Sequence, residues 1–276
     1  MMTERVSGTR EWSGHSMNIG VGCSNNCRYC YARAGQRRWQ RENWLNWHKG
    51  FVFNPKWYDK WMKTNRAKKK GIMTPTQHDI TEDNWEKMRD VILHNHGLGS
   101  RILIVSKGGR GLELLAHSLM QSTWIGNRGK IEIRISIGST QNETLAFWEP
   151  GAPGYEIRKY DLKLAYDLDF NTSVSCEPYL STADDLIRLI AKVRLYCTQG
   201  IWIGPLNKLN ERVNFQAITA EENKRFVQPV LDNQTPESVG RIHDMIGSFC
   251  EADEWHGVHY KCEFRELLNK HQEQEA

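Results

Sequence analysis

The chain has 276 residues, 39% of them hydrophobic and 25% charged, a composition typical of globular proteins that excludes intrinsic disorder. No apolar run approaches the roughly 20 residues of a membrane-spanning helix, and the N-terminal sequence lacks an apolar signal core, so we expect a soluble cytoplasmic protein. Seven cysteines, three of them within eight residues, favour reduced thiols over a disulfide framework.

The apolar pattern predicts strands that alternate with helices. Strands are expected at 16–21, 71–74, 101–106, 130–138, 170–176 and 200–203, and helices at 31–47, 82–96, 112–121, 155–168 and 183–196. This order favours a parallel sheet with right-handed crossovers, either a barrel or an open doubly wound sheet. In both architectures the active site lies at the C-terminal ends of the strands.

Beyond residue 204 the pattern becomes helical. Helices are expected at 220–230 and 236–249, followed by a polar tail from 263. No segment has the composition of a linker. We therefore expect residues 1–276 to form one domain, with a core at about 16–206 and a helical extension at about 207–276.

Three cysteines, Cys23, Cys27 and Cys30, fall between the first predicted strand and the first predicted helix. Closely spaced thiolates on a short loop are typical of iron–sulfur clusters, and three protein ligands leave one iron of a four-iron cluster open. The alternative is structural zinc, with His15 or His48 as fourth ligand. Zinc sites usually pair two short CxxC-like turns, and the sequence contains no second pair.

The CxxxCxxC spacing, with an aromatic residue before the last cysteine, resembles the signature of the radical S-adenosylmethionine (SAM) superfamily. The string from Asn18 to Arg33 resembles the branch that contains spore photoproduct lyase and DNA-repair-photolyase-like proteins. The resemblance covers about residues 16–206 and implies an α/β fold, a partial (β/α)6 TIM-like barrel with a helical C-terminal extension.

The resemblance also implies the chemistry. A [4Fe-4S] cluster binds S-adenosyl-L-methionine, and an external one-electron donor of the flavodoxin or ferredoxin type reduces it. Cleavage of the cofactor gives a 5'-deoxyadenosyl radical that abstracts a substrate hydrogen.

The resemblance further implies cofactor contacts near the cysteines. Tyr29 corresponds to the aromatic residue that approaches the adenine, although it can also simply pack the loop. His78 and Asp79 follow the second strand, where the superfamily receives the amino group of the cofactor. The common Gly-Gly-Glu form of this segment is absent, and Asp79 can instead cap the helix that begins near residue 82.

Further contacts are expected after the later strands. Lys107 matches the lysine that meets the cofactor carboxylate, or is a solvent-facing loop charge. Ser136 resembles a hydroxyl contact to the cofactor, and Arg134, on the same strand face, is an internal anchor. Arg158 forks onto the cofactor carboxylate or forms a surface ion pair with Glu156 or Asp161. Glu177 is expected at the catalytic rim because proline follows it.

A hydrogen-atom donor is harder to assign from the sequence. Cys176 is a candidate catalytic thiol, although free cysteines are also common core residues. A C-terminal group offers a second place for a hydrogen donor or an extra metal, but its spacing matches no known motif; its members are Cys250, Trp255, His256, His259, Tyr260 and Cys262.

Residues 31–70 form a basic, tryptophan-rich segment. It carries twelve Lys or Arg and two acidic residues, a net charge of +10, so the rest of the chain carries −6 of the total +4. Basic side chains among Trp39, Trp44, Trp47, Trp57 and Trp61 favour a nucleic-acid partner; the alternative is a solvated face over buried tryptophans. We therefore expect a nucleic-acid base or nucleotide-like substrate. Alternatively, the substrate is a peptide or a small metabolite, or the chain is a non-catalytic, zinc-stabilised nucleic-acid-binding protein.

Overall fold

The computed structural model describes residues 8–39, 46–122 and 129–275, without the side chain of residue 48. Its centre is a sheet of seven parallel strands. They are β1 (His15–Ser16), β4 (Ile72–Thr74), β5 (Ile102–Ser106), β6 (Ile131–Ser136), β7 (Asn171–Cys176), β8 (Ile201–Ile203) and β9 (Val258–Tyr260), and they lie side by side in this order. Strands β1 and β9 are the two edges of the sheet, so the barrel is partial, as predicted.

The predicted first strand is split in two. Strand β1 joins the main sheet, whereas β2 (Gly20–Val21) turns away and pairs antiparallel with β3 (Val52–Phe53). A Cβ on Gly20 would lie 2.2 Å from the carbonyl oxygen of Val52, so only glycine permits this close pairing. The prediction of one strand over 16–21 was therefore wrong, and the turn brings the cysteine loop toward the sheet.

The helices surround the sheet. They are α1 (Tyr31–Arg38), α2 (Pro55–Met62), α3 (Trp85–Gly97), α4 (Arg110–Ser122), α5 (Asn142–Trp148), α6 (Tyr155–Asp167), α7 (Ala183–Val193), α8 (Leu209–Arg212), α9 (Ala220–Glu222), α10 (Gln228–Asp232), α11 (Pro236–Ala252) and α12 (Cys262–Glu275). Helix α1 ends earlier than predicted, and residues 40–45 lie outside the described part of the chain. Helices α2 and α5 were not predicted.

The C-terminal extension was expected to be helical, but it also contains a strand. Strand β9 pairs with β8, and a fourteen-residue helix, α12, replaces the predicted polar tail. Helix α12 is polar over most of its length, and its only buried residue is Phe264. Phe264 and the partly buried Leu267 and Leu268 lie at helical spacing and pack against the core, and these tertiary contacts stabilise the helix.

The open side of the barrel is covered by the N-terminal segment. Trp12 follows a short 3-10 helix (Gly8–Glu11), and its ring lies 6.0 Å from that of Trp202 on β8. The ammonium of Lys261, directly after β9, lies 4.0 Å from the centre of the Trp12 ring. No helix in the described ranges is long and apolar enough to cross a membrane.

Candidate active site

A cavity of about 600 Å³ opens at the C-terminal ends of the strands. It is lined by most of the residues that the sequence predicted for the site: Cys23, Cys27, Tyr29, Cys30, His78, Asp79, Lys107, Ser136 and Glu177. Its size falls within the range of cofactor and ligand pockets. The sheet thus brings together side chains from the cysteine loop and from the C-terminal ends of β4, β5, β6 and β7.

Two glycines fix the backbone of the cysteine loop. Gly22 has φ +94°, and a Cβ there would lie 2.2 Å from the carbonyl oxygen of Gly50. On the other side, a Cβ on Gly151 would lie 2.0 Å from the carbonyl oxygen of Ser24, and the amide of Gly151 donates to the carbonyl of Asn25 at 3.0 Å. The loop is therefore packed between two backbone segments.

The three cysteines lie at different depths. Cys27 is buried, Cys23 and Cys30 are partly exposed, and the sulfur of Cys30 caps α1 by accepting from the amide of Arg33 at 3.4 Å. Burial raises the pKa of Cys23 to about 12 and that of Cys27 well above its ordinary value. Such thiols ionise readily only when a metal stabilises the thiolate, which fits a ligand role.

The described cysteines are not arranged as a site for a single zinc ion. Within the described ranges, no three His, Cys, Asp or Glu side chains stand close enough together to hold a single metal ion. Thiolates on one zinc ion would lie within about 4.6 Å of each other, because each Zn–S bond is about 2.3 Å. In a cluster each cysteine binds a different iron, so wider spacing is required.

The two histidines considered as zinc ligands add no support for zinc. His15 is exposed on β1 and does not line the cavity. The side chain of His48 lies outside the described part of the structure. Of these two histidines, therefore, only His15 can be placed, and it lies away from the cavity.

Asp79 connects the cysteine loop to the end of β5. Its carboxylate accepts from Asn25 Nδ2 at 2.5 Å, Ser106 Oγ at 2.6 Å, the amide of Lys107 at 3.1 Å and that of Ile80 at 2.7 Å. Four donors occupy its two oxygens, so the carboxylate is largely satisfied within the protein. It does not cap α3, which begins at Trp85.

His78 is held by the backbone. Its Nε2 accepts from the amide of Ile19 at 3.5 Å, and its Nδ1 lies 2.9 Å from the carbonyl oxygen of Asp79, which requires the Nδ1–H tautomer. Burial lowers the pKa of His78 to about 4. The ring is therefore neutral and positions the segment after β4.

Glu149 is the centre of a buried ion-pair network beside the cysteines. Lys107 Nζ lies 2.6 Å from Oε1 of Glu149 and 3.1 Å from the hydroxyl of Tyr29, which itself donates to Glu149. Arg158 lies 2.5 Å from the other carboxylate oxygen. Burial alone would raise the pKa of Glu149, but Arg158 and Lys107 outweigh it and lower the pKa to about 2.

Arg158 has neither of its two predicted roles, a bidentate contact to the cofactor carboxylate or an ion pair at the surface. It is fully buried, pairs with Glu149, and donates to the carbonyl oxygens of Pro153 at 2.7 Å and Ser136 at 2.9 Å. Glu149 thus takes the place of Glu156 and Asp161, the partners expected from sequence. Arg158 is absent from the described cavity lining, so its contacts support the fold.

Arg134 is the internal anchor that the strand pattern predicted. It lies 2.7 Å from Glu132 Oε1 and 2.7 Å from Ser173 Oγ, with its guanidinium against the rings of Trp12 and Trp202. It also does not line the described cavity. Its contacts give it a structural role, whereas Ser136, two residues along β6, does line the cavity.

Cys176, the predicted catalytic thiol, points away from the cavity. Ser175 lines the cavity, and the next residue on β7, Cys176, therefore points to the opposite face, where it is buried in the hydrophobic core. Burial raises the pKa of Cys176. The prediction of Cys176 as a hydrogen-atom donor into the cavity is not supported by its orientation.

The C-terminal candidates also point elsewhere. Cys250 lies within α11, His259 packs its ring 4.8 Å from that of Trp202, and Tyr260 stacks on Phe264 at 4.5 Å. None of the six residues of this group is among the described residues that line the cavity, whereas Glu263, which directly follows the last of them, is.

Lys261 is a buried charged residue beside the site that sequence reasoning missed. It is fully buried, lies 3.0 Å from Glu11 Oε1 and 3.6 Å from Glu177 Oε2, and donates to the carbonyl of Gly8 at 3.0 Å. Burial raises the pKa of Glu177, Lys261 opposes this, and Glu263 and Glu11 add to it. The only sequence signal was a lysine inside an apolar, aromatic stretch, where an unpaired charge would be costly.

Several solved structures share the fold of this chain. No family model matches the chain, and no curated protein matches it. Among solved structures, a substituted spore photoproduct lyase matches at TM-score 0.59 and 13% identity, covering 94% of this chain and 79% of that one. Streptococcus suis SuiB bound to S-adenosylmethionine matches at 0.58 and 8% identity, covering 93% and 52%. The chain has the fold of these two proteins.

The predicted fold class, α/β with a partial TIM-like barrel, is thus confirmed. A spore photoproduct lyase complexed with dinucleoside spore photoproduct also matches, at TM-score 0.51 and 14% identity. The chain spans 58% of that lyase structure and 52% of SuiB. At such identities the likeness is one of fold.

Proposed function

We propose that the protein is a radical SAM enzyme. The observation that carries this proposal is the position of Cys23, Cys27 and Cys30, which line one cavity together with the ends of four parallel strands of the radical SAM fold. When bound, a [4Fe-4S] cluster and S-adenosylmethionine would supply the 5'-deoxyadenosyl radical that abstracts a substrate hydrogen. The three cysteines would hold the cluster.

Lys107 would receive the carboxylate of the cofactor. Its side chain is 15% exposed, lines the cavity and shares Glu149 with Arg158, so two cations face one carboxylate. The surplus positive charge at the cavity wall would attract an anion. Tyr29, held by the same network at the cavity wall, would contact the adenine.

Asp79 would act mainly on the protein. Its four hydrogen bonds join the cysteine loop to β5, so it would hold Asn25, and with it the loop between Cys23 and Cys27, in a fixed position. Its remaining acceptor capacity for the amino group of the cofactor is small. Asp79 would therefore be a positioning residue.

A nucleotide-like substrate is the one that the cavity and surface favour. One solved relative is complexed with a dinucleoside photoproduct and another is bound to a precursor peptide, so fold alone does not choose. In this chain Arg10, Lys208 and Arg212 line the cavity, and Trp39, directly after the basic helix α1, is 70% exposed. Cations and exposed rings favour phosphates and bases.

Anaerobic reconstitution tests the cluster. The wild-type protein is expected to bind about four irons and to absorb near roughly 400 nm, as thiolate-ligated clusters do. Cys30→Ser should lose most of this iron, whereas Cys262→Ser, outside the cavity, should retain it. A colourless protein with stoichiometric zinc would instead support the zinc-stabilised binding module.

Activity is tested on the same preparations. With dithionite and S-adenosylmethionine, the wild-type protein and Cys262→Ser should form 5'-deoxyadenosine, and Cys30→Ser should not. A reconstituted protein with a full cluster that never forms 5'-deoxyadenosine would contradict the proposal. Deuterium transfer from labelled nucleotides into 5'-deoxyadenosine would then identify the substrate hydrogen.

A further inference from the structure

Lys107 lies in a turn after β5 whose three successive backbone amides all meet acceptors within the protein. Successive amides of this kind form a concave site that attracts oxygen atoms carrying negative charge. Here the acceptors come from three parts of the chain: Asp79 Oδ2 accepts from Lys107 at 3.1 Å, Ser106 Oγ from Gly108 at 3.0 Å, and Asp161 Oδ2 from Gly109 at 2.5 Å.

Asp161 is the acceptor that α6 contributes, and it is buried. The turn lies directly on this helix. A Cβ on Gly108, which has φ +87°, would lie 2.4 Å from Oδ2 of Asp161 and 3.5 Å from Cα of Arg158. Glycine is therefore required for the turn to approach the carboxylate so closely.

Helix α6 holds Lys107 in two ways. Arg158 and Asp161 are three residues apart, so they lie on the same face of the helix. Arg158 pairs with Glu149, whose other carboxylate oxygen lies 2.6 Å from Nζ of Lys107. Asp161 holds the backbone of the turn. One contact therefore acts on the end of the lysine side chain and the other on its main chain.

Burial makes the charged form of Asp161 costly. It raises the pKa of this carboxyl to about 6; the amide of Gly109 opposes the rise, and the carboxylates of Glu113 on α4 and Asp79 after β4 add to it. At neutral pH the side chain is nevertheless ionised. A carboxylate that is kept charged at such a cost beside a cavity is typical of a functional site.

The described residues give Asp161 no counter-ion. Three cations on the elements around it pair with other carboxylates, namely Arg110 with Glu113 at 2.9 Å, and Lys107 and Arg158 with Glu149. What Asp161 receives instead is the amide of Gly109. A hydrogen bond to an ionised acceptor is stronger than one to a neutral acceptor, so the charge tightens the hold on the turn.

Resting on the function proposed above, in which Lys107 receives the carboxylate of S-adenosylmethionine, we propose that Asp161 is a positioning residue for this cofactor. Asp161 is absent from the described cavity lining and acts through the turn. It fixes the main chain at Gly109, and with it the point from which the side chain of Lys107 extends. Order that is present before binding reduces the entropy that binding costs. Cofactor affinity should therefore depend on the acceptor at position 161.

Equilibrium binding of labelled S-adenosylmethionine to the reconstituted protein, without reductant, measures this effect apart from turnover. At pH 7.5, Asp161→Ala should weaken binding about tenfold, because the amide of Gly109 loses its acceptor. Asp161→Asn keeps an acceptor oxygen and should bind within about threefold of the wild type. Asp167→Ala, at the exposed end of the same helix, is the matched control and should bind like the wild type.

A second variant breaks the same contact from the side of the turn. Gly108→Ala places a methyl group against the Asp161 carboxylate and should also weaken binding. The double variant Gly108→Ala/Asp161→Ala should lose less affinity than the two single losses combined, because both act on one contact. Fully additive losses would contradict the proposal. Iron content and circular dichroism establish which variants retain the cluster and the fold.

The pH profile distinguishes a positioning role from a structural one. Below about pH 6 the carboxyl of Asp161 is protonated in the folded wild type, because burial raises its pKa, and it then accepts only as a neutral group does. The wild type should therefore bind S-adenosylmethionine about threefold more tightly than Asp161→Asn at pH 7.5, and equally at about pH 5. Ionisation of the cofactor itself affects both proteins alike.

Stability should change in the opposite direction to affinity. The pKa of Asp161 is about 6 in the folded protein and roughly 3.9 when unfolded, so its contribution to stability is lost as the pH rises between these values. Asp161→Asn does not titrate, and at pH 7.5 it should unfold at a higher temperature than the wild type while binding the cofactor less tightly. A lower unfolding midpoint would assign Asp161 to the fold alone.

The outcomes separate the positioning role from the proposed function. If the wild type forms 5'-deoxyadenosine and Asp161→Ala binds S-adenosylmethionine as tightly as the wild type, the positioning role is overturned and the function stands. Equal losses of affinity in Asp161→Ala and Asp161→Asn would also overturn it, because the acceptor oxygen would then not matter. A wild-type protein that holds a cluster but never binds S-adenosylmethionine would overturn both.

Discussion

Glu149 is the residue on which the buried charges beside the cysteines depend. It is 1% exposed and neutralises one of two neighbouring cations, Lys107 and Arg158, while also accepting from Tyr29. Removing one partner of such a buried pair leaves uncompensated charge in a medium of low dielectric constant. Glu149 therefore has more influence on the site than its position in a connecting segment suggests.

Glu149→Gln should destabilise the protein by about 3 kcal/mol, because Lys107 and Arg158 would remain buried without an anion. Thermal unfolding followed by circular dichroism should show a midpoint lower by several degrees. The exposed Glu156→Gln serves as control and should change the free energy of unfolding by less than about 0.5 kcal/mol. Equal midpoints for the two variants would contradict this role.

The pH dependence follows from the same carboxylate. The pKa of Glu149 in the folded protein is about 2, below the roughly 4.3 of an unfolded glutamate. Its stabilisation is therefore complete above about pH 4.3 and lost as the pH falls toward 2. Unfolding midpoints of the wild type should fall more steeply with acid over this window than those of Glu149→Gln. Parallel curves would show that Glu149 contributes nothing there.

At the scale of elements, the sequence pattern predicted α11 but not α12. They pack closely at Gly240, where a Cβ would lie 2.1 Å from Cδ2 of the His271 ring. A Cβ on Gly247, in the same helix α11, would meet no atom of the described residues within 4 Å. The two glycines therefore differ in packing but share the same secondary structure.

Gly240→Ala should destabilise the protein by about 1–3 kcal/mol, because the added methyl group pushes against His271 and displaces α12. Gly247→Ala should instead stabilise it by about 0.5–1 kcal/mol through helix propensity. Urea denaturation measures both changes. If both alanine variants were stabilised, the close contact between α11 and α12 would be wrong.

At the scale of the whole molecule, the basic segment divides into core and surface. Trp47 and Trp61 are buried, as the solvated-face interpretation expected, whereas Trp39 is 70% exposed and Trp44 lies outside the described residues. Three lysines, Lys56, Lys60 and Lys63, are exposed along α2 and at its C-terminal end. This spacing places them within about two helical turns, where they can contact successive phosphates.

Binding of single-stranded oligonucleotides should therefore weaken steeply as salt rises. Replacing the three α2 lysines by glutamine should reduce the slope of log K against log salt by roughly 2, since each phosphate contact contributes about 0.7. Fluorescence anisotropy at several salt concentrations measures the slope. An unchanged slope would exclude α2 as the contact surface; the matched control replaces exposed lysines elsewhere, Lys130, Lys224 and Lys270.

The sequence by itself determined the class of fold and the cysteine loop. Both follow from local rules: apolar runs mark buried parallel strands, and the spacing of Cys23, Cys27 and Cys30 depends only on neighbouring residues. The positions of Asp79 and Lys107 at the cavity also followed, because the ends of parallel strands meet at one edge of the sheet.

Only the tertiary structure decided which side chains face the cavity and which partners they meet. Cys176 is buried in the core because of its place in the alternation of β7, and Arg158 pairs with Glu149 and not with the cofactor side. Glu263 lines the site, with Lys261 behind it, because β9 pairs beside β8. Such contacts join residues far apart in the chain, so no local pattern encodes them.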